Sequence, residues 1–209
     1  MKHRPANTVI VLDFETTGLS PNQGDRAIEI GAVRVEGGQI KERFQRLMYP
    51  GRRISGFIES YTGISNQMLE DAEPASKVMA EFADFIEDFN LVAHNASFDS
   101  KFLVSELARN NHNSTYLFAC SMLIARRLYQ DAPNHKLGTL VRFKSLPTDG
   151  TFHRALADAE MTTHLWLAIL EDINTRYGID RADFALMQKL GKTAKHSSHQ
   201  FLLKSAITD

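Results

Sequence analysis

Apolar residues recur along this chain with two different periods, which separate strand-like from helix-like stretches. Residues 8–13 form a β-branched apolar run that ends at an aspartate, which is typical of a buried strand. Residues 26–35 alternate polar and apolar positions and predict a half-buried strand. Gly37-Gly38 then predicts a tight turn into a returning strand over 39–48. The first fifty residues are therefore expected to form a three-stranded meander.

Helical spacing dominates the rest of the chain. Short strands are predicted at 91–94 and 116–119, between helices at 75–89, 98–109, 121–129, 136–142, 154–177 and 181–190. The helix over 154–177 has the most regular pattern, and Gly178 ends it as a C-terminal glycine should. Strands that begin antiparallel and then alternate with helices indicate an α/β domain, in which helices cover a mixed sheet.

The length of 209 residues is enough for one core and short for two full domains. We expect one domain over 1–178, followed over 179–209 by a C-terminal helix and polar tail that do not form a separate domain. The polar, basic residues 191–199 predict a mobile segment. The apolar run that follows, 201–203, is either a docking element for a partner or, by default, a frayed terminus.

Composition limits the function less than the motifs do. A net charge of −1 argues against a protein that coats duplex DNA, but it permits an enzyme that holds only a strand end. Cys120 is the single cysteine, so no internal disulfide can form, which fits a reducing cytoplasm. The residues before Asp13 contain too few apolar positions for a signal peptide or a membrane span. We therefore expect a cytoplasmic protein with no membrane partner.

The first candidate site lies at the end of the first predicted strand, in Asp13-Phe14-Glu15-Thr16-Thr17-Gly18-Leu19. Alternate side chains of a strand share a face, so Asp13 and Glu15 point together while Phe14 points into the core. Two carboxylates directed at the same place repel each other unless a cation lies between them. This segment therefore predicts a cation site.

Two further segments place polar groups at element boundaries. Asp99 lies in the first turn of a helix that follows a strand, at a sheet rim of the kind that usually hosts ligands. His153 precedes the long helix and Asp158 lies about one turn inside it. Each residue alone has an ordinary explanation: a strand exit into solvent, a helix N-terminal acid, a surface histidine or an exposed helix residue. Their joint occurrence in one order favours a shared site.

Together, the three segments resemble the motifs of the DEDDh exonuclease superfamily, which includes the proofreading subunit of bacterial replicative DNA polymerase and ribonuclease T. Asp13-x-Glu15-Thr-Thr-Gly resembles the first motif, His94-Asn95-x-x-Phe98-Asp99 the second and His153-x-Ala155-x-x-Asp158 the third. The resemblance covers about residues 8–175. It implies a ribonuclease H-like fold, with a mixed five-stranded sheet flanked by helices.

The resemblance also implies a metal centre. Two divalent cations, Mg²⁺ or Mn²⁺, would be bound by Asp13, Glu15, Asp99 and Asp158, and His153 would be the general base. Oxygen-only ligands suit these hard ions, and the chain has no cysteine cluster for zinc. We assign Asp13 to both ions, Glu15 and Asp158 to the ion that holds the attacking water, and Asp99 to the other.

Several neighbouring residues are expected to contact substrate. By resemblance, the backbone at Thr16 and Thr17 would contact the terminal nucleotide, with Leu19 wedged beside its base; a plain turn is compatible with this. Thr62 stands where some relatives carry a substrate-contacting histidine, and Phe102 would stack on a base or pack in the core. His94 is interpreted as structural. Some basic residues are expected to meet phosphates: Arg52, Arg53, Lys101, Lys136 and Arg142.

These residues favour a 3′–5′ exonuclease that hydrolyses single-stranded DNA from its 3′ end by two-metal chemistry and releases nucleoside monophosphates. The expected partners are nucleic acid with a free 3′ end and a DNA polymerase subunit. One alternative keeps the chemistry and changes the substrate to RNA, as in ribonuclease T or oligoribonuclease. A non-catalytic module that binds nucleic acid or a polymerase is a third hypothesis, which the complete set of five residues disfavours.

Overall fold

Five strands form one mixed sheet. They are β1 (Val9–Thr16), β2 (Ala27–Glu36), β3 (Gln39–Leu47), β4 (Leu91–Ala93) and β5 (Phe118–Cys120). The order across the sheet is β3-β2-β1-β4-β5, antiparallel from β3 to β1 and parallel from β1 to β5. The computed structural model describes residues 4–112, 115–148, 150 and 153–207. The predicted meander and the predicted α/β class are confirmed.

Helices cover both faces of this sheet. They are α1 (Gly56–Thr62), α2 (Asn66–Glu70), α3 (Ala75–Ile86), α4 (Ala96–Arg109), α5 (Ser121–Leu128), α6 (Leu137–Phe143), α7 (Ala155–Tyr177), α8 (Phe184–Lys192) and α9 (Ser198–Ser205). Alternate residues of β1 divide between two cores. Val9 and Val11 join α5, α7 and α8, whereas Ile10, Leu12 and Phe14 join α3 and α4.

The structure differs from the expectation for the second strand. The alternation over 26–35 predicts one solvent-facing side, but β2 is buried on both faces because α7 packs across it. Glu29, at a position expected to meet water, is 0% exposed. Alternation of polar and apolar residues cannot tell whether the polar face meets water or a helix that carries its own polar partners.

The region between the meander and α3 also differs from the expectation, because α1 and α2 form there without having been predicted. At the other end, residues 191–199 are not a loose tail. They lead from α8 into α9, whose Leu202 is fully buried in the core beside α5 and α7. Because its side chain packs in the core, Leu202 cannot contact a partner protein. None of the helices in the described ranges is both long and apolar enough to cross a membrane.

Candidate active site

The site is built at the C-terminal end of β1, the central strand. Phe14 packs into the α3–α4 core, so Asp13 and Glu15 on either side of it face the other way, towards α7. Glu15 is only 8% exposed. β1 therefore presents two carboxylates to one place at the edge of the core.

The carboxylate of Asp99 comes to the same strand end from α4. A left-handed residue, Asn95 (φ 74°), joins β4 to α4 and turns the chain so that the first helical turn lies against β1. Asp99 is 1% exposed, and its Oδ1 accepts a hydrogen bond of 3.3 Å from the backbone N–H of Phe14. The acid therefore contacts the backbone between Asp13 and Glu15.

His153 and Asp158 come from the start of α7. His153 has a left-handed backbone (φ 60°), and its N–H donates to Oδ2 of Asp158 over 2.9 Å. The carboxylate of Asp158 thus fixes the backbone that carries the histidine. Ligand atoms of Glu15, His153 and Asp158 all lie within 4.8 Å of one another.

Two residues of β2 hold the start of α7 in this position. Glu29 accepts from Arg154 Nη2 (2.8 Å) and Nε (3.1 Å) and from the backbone N–H of Ala155 (3.0 Å). At Gly31, a Cβ atom would lie 2.1 Å from the backbone nitrogen of Leu156, so only glycine permits this approach. Neither role was predicted from the sequence. The available signal was a charged residue and a glycine among the apolar residues of a strand.

A second buried glutamate fastens α4 to the same strand. Glu106, 2% exposed, accepts from Arg26 Nε (2.8 Å) and Nη2 (2.9 Å) and from the backbone N–H of Ala27 (3.1 Å). The helix that carries Asp99 is therefore attached to the first residues of β2. β2 itself contributes no side chain to the acid cluster, but it fixes the position of both helices that do.

Burial and crowding make the acids of the site unusually basic. Burial raises the pKa of Glu15 to about 8, and the nearby charges of Asp158 and Glu29 add to the effect. Burial likewise raises the pKa of Asp99 to about 7. Burial, followed by the charges of Asp99 and Asp158, raises the pKa of Asp13 well above its usual range. For Asp158 the direction is also upwards, chiefly through burial.

These properties fit a divalent cation. Among the described residues, no side chain donates a hydrogen bond to the carboxylate of Asp13 or Glu15, although Glu15 is buried and Asp13 is half-buried. The donor atoms are carboxylate oxygens and one imidazole, a set that suits a hard ion. A cation would relieve the repulsion that adds to burial in raising the pKa values of Asp13 and Glu15. The residues present therefore match the group that the motifs imply.

The acids open into a cleft of about 930 Å³. Thr16, Thr17, Leu19 and Thr62, expected to contact substrate, all line it, and Leu19 is 83% exposed. Phe102 does not: it is fully buried in the α3–α4 core, and Phe98, one turn earlier, lines the cleft instead. The base-stacking expectation for Phe102 is corrected, because α4 runs from the cleft into the core.

Thr62 and Thr17 use polar groups in hydrogen bonds within the protein. The hydroxyl of Thr62 donates to the carbonyl of Ile58 (2.9 Å) and accepts from the N–H of Ile64 (3.1 Å). The backbone N–H of Thr17 donates to the carbonyl of Arg26 (2.9 Å). These groups shape the walls of the cleft and are already hydrogen-bonded.

His94 supports the opposite wall, as its structural interpretation expects. Its Nε2 lies 2.9 Å from the carbonyl oxygen of His135 and its Nδ1 lies 2.9 Å from Ser121 Oγ. A carbonyl only accepts, so Nε2 carries the proton, and burial lowers the pKa of His94 to about 4. This contact fixes the loop that places Lys136 in the cleft. Of the five basic residues expected to meet phosphates, Lys136 alone lines it.

Comparison with known proteins places this arrangement in a family. The exonuclease family model RNase_T matches residues 10–166. The chain is 33% identical over 187 residues to the DNA polymerase III subunit epsilon of Aquifex aeolicus (strain VF5), covering 88% of this chain and 90% of that protein. It is 38% identical over 198 residues to the PolC-type DNA polymerase III of Thermotoga maritima (strain ATCC 43589 / DSM 3109 / JCM 10099 / NBRC 100826 / MSB8). That match covers 91% of this chain and only 14% of the polymerase.

Among solved structures, exonuclease X in complex with 5′-overhanging duplex DNA is similar, with a TM-score of 0.64 and 27% identity. The similarity covers 78% of this chain and 91% of that one. The expected ribonuclease H-like fold is thereby confirmed. The chain therefore belongs to the exonuclease family.

Proposed function

We propose that this domain removes nucleotides one at a time from the 3′ end of single-stranded DNA, releasing nucleoside monophosphates, with two divalent cations bound by Asp13, Glu15, Asp99 and Asp158. The observation that carries the proposal is the convergence of β1, α4 and the start of α7 on one open cleft. Within it, ligand atoms of Glu15, His153 and Asp158 lie within 4.8 Å of one another. Asp13 and Asp99 adjoin this group at the end of β1.

His153 is the proposed general base. It is exposed to the cleft, and Asp158 holds its backbone, so its ring has access to a water beside the acids. In the reaction, the water oxygen bonds to phosphorus, the bond from phosphorus to the 3′ oxygen of the shortened strand breaks, and the water proton passes to the imidazole. A histidine can accept a proton near neutral pH. Bound Mg²⁺ or Mn²⁺ ions would supply activation of the water and stabilisation of the departing oxygen.

The preference for DNA rests on similarity, because none of the three sequence motifs is specific for the 2′-hydroxyl that distinguishes RNA from DNA. The relatives are DNA polymerase III proteins, and the structural neighbour is bound to DNA. A DNA polymerase subunit is the partner that these relatives suggest. The chain spans 14% of the PolC-type relative, so any activity in a larger assembly is part of the proposal.

Purified protein is tested on matched, 5′-labelled DNA and RNA oligomers with Mg²⁺ or Mn²⁺. A descending ladder on DNA that disappears with EDTA supports the proposal. If the RNA oligomer is shortened faster than the DNA oligomer, RNA is the preferred substrate. Asp13→Asn should abolish the ladder. His153→Ala should slow it by about 10²–10⁴-fold, the usual contribution of base catalysis. Absence of metal-dependent shortening on both oligomers would overturn the proposal.

A further inference from the structure

Three aromatic rings extend in a file from the candidate general base to the outer lip of the cleft. The ring centroids of Tyr61 and His153 are 4.1 Å apart, with 37° between the planes. Those of Tyr61 and Phe57 are 5.9 Å apart and nearly parallel, at 14°. Phe57 and Tyr61 are four residues apart on α1, so they share one face of the helix. We call these two side chains the aromatic lip.

The aromatic lip is open to solvent although its rings are large and apolar. Phe57 is 73% exposed and Tyr61 is 51% exposed, and both line the cleft. The other side of α1 already provides its packing. Ile58 packs against a small core of Ile54, Ile64 and Leu69, and Thr62 is buried. The outward rings are therefore not needed to attach the helix.

The lip also stands on a fixed support. Ser55 caps α1 by accepting from the N–H of Ile58 (3.3 Å), and Glu59 accepts from the N–H of Asn66 (2.6 Å). The side chain of Asn66 in turn fixes the segment that leads into α1. Its Oδ1 accepts from the N–H of Ile54 (2.8 Å) and its Nδ2 donates to the carbonyl of Ile54 (3.1 Å). A rigid, flat apolar surface beside a phosphodiester-cleaving centre suits a planar ligand.

An unpaired nucleobase is the planar group that a strand in this cleft would offer. Bases stack on aromatic side chains through their π faces, whichever base is present, whereas a base inside a duplex has both faces covered by its neighbours. Leu19, 83% exposed, lines the same cleft from the segment after β1. The aromatic lip lines it from α1.

We propose that Phe57 and Tyr61 form a base-stacking platform that binds an unpaired nucleobase near the 3′ end of the substrate strand and thereby selects single-stranded or frayed ends. The platform rests on the proposed function and adds a binding site to it. It reads no base edge and no 2′-hydroxyl, so it acts on DNA and RNA alike.

The test is equilibrium binding of a fluorescent single-stranded oligomer with Mg²⁺, in an Asp99→Asn background so that the strand is bound without being shortened. Phe57→Ala should weaken binding by about 5- to 150-fold, the range for loss of one stacked base. Phe57→Trp should restore binding, while Phe57→Leu, which is apolar without a π face, should not. Val104→Ala, which removes an exposed apolar side chain outside this cleft, is the matched control.

A substrate-side change identifies the base. A series of oligomers carries one abasic nucleotide at successive positions from the 3′ end. At one of these positions, loss of the base should weaken binding to the wild-type protein. The same loss should not weaken binding further in Phe57→Ala, because the stacking contact is already absent there. Fluorescence of 2-aminopurine at that position should be quenched on binding and recover in the alanine variant. The platform would be overturned if Phe57→Ala bound the oligomer as tightly as the Phe57 protein, or if Phe57→Leu restored full binding. In either case, normal cleavage by the wild type would leave the exonuclease proposal standing. A wild type that neither binds nor shortens any oligomer would overturn both.

Discussion

Glu29 receives both the guanidinium of Arg154 and the backbone N–H of Ala155, so a single buried carboxylate in β2 fixes the first turn of α7. His153 precedes this turn and Asp158 lies within it. The hydrogen bonds of Glu29 therefore act on the candidate base and on one candidate ligand, although Glu29 is fully buried and does not line the cleft.

Glu29→Gln should reduce both stability and activity. The loss in free energy of unfolding should stay below the roughly 3–5 kcal/mol that breaking a fully buried charge pair costs, because the Arg154 side chain is 34% exposed and glutamine keeps part of the hydrogen bonding. Urea denaturation measures the loss, and exonuclease rates with saturating metal measure displacement of the α7 start. Arg154→Lys, which keeps the charge but loses the paired geometry, should be affected less. Wild-type stability in Glu29→Gln would show that the interaction does not hold the helix.

Gly31→Ala should displace the same turn by a steric route. The added Cβ would lie 2.1 Å from the backbone nitrogen of Leu156, and backbone cannot rotate aside as a side chain can. Overpacking of this kind typically costs about 1–3 kcal/mol or more. Gly56→Ala is the control, because a Cβ there meets nothing within 4 Å. Thermal melts should separate the two variants, and equal melting temperatures would refute the close contact.

The metal-free protein should lose stability as pH rises from about 4.5 towards 8. Over that interval the folded protein keeps a proton on Glu15, whose folded pKa is about 8, whereas the unfolded chain has released it near its ordinary value of 4.5. The folded state then binds more protons than the unfolded state, so the free energy of unfolding falls with pH. Asp99, with its pKa raised to about 7, acts in the same direction.

Melting temperatures in EDTA across this interval provide the measurement. Mg²⁺ or Mn²⁺ should raise the melting temperature most at the alkaline end, because the ligands are then ionised and the bound ion stabilises the folded state. Glu15→Gln should flatten part of the decline. A melting temperature in EDTA that rises over the interval would contradict the assignment of raised pKa values to this site.

Lys136→Gln should weaken substrate binding in a salt-dependent manner. Its side chain lines the cleft, where a phosphate of the bound strand would meet it. Loss of one phosphate contact lowers the slope of log affinity against log salt by about 0.7 for a single strand. Lys101→Gln is matched in charge and lies on α4 outside this cleft. Identical salt slopes for both variants would remove Lys136 from the substrate path.

The sequence identifies the chemistry of the site better than its supports. Asp13 and Glu15 are recognisable because strand alternation fixes their common direction, and Asp99 because it follows a strand at the sheet rim. For Phe102 the sequence leaves base stacking and core packing open, and the structure shows core packing. Spacing places Phe98 and Phe102 on one face of α4 without showing where that face enters the core. The partners of Glu29 lie far away in the chain, so local pattern cannot reveal that it is buried.

The aromatic lip was missed for a related reason. α1 has seven residues, too few to show a clear helical period, and its exposed Phe57 does not follow the usual apolar-inward pattern. At the other end of the chain, polar residues predict mobility before α9, yet the single apolar side chain of Leu202 anchors that helix in the core. Composition averages over a segment, whereas anchoring can depend on one residue.

Because α4 and α7 are both attached to β2, this strand sets the spacing between the two helices. Glu106 reaches its beginning from α4, and Glu29 and Gly31 receive α7 along its length, so the number of residues between these points sets how far apart Asp99 and Asp158 are held. A protein engineer who transplanted only the acids and the histidine to another scaffold would leave behind the part that sets their spacing. Inserting or deleting a single residue in β2 should uncouple the two halves of the centre while every reactive side chain is still encoded.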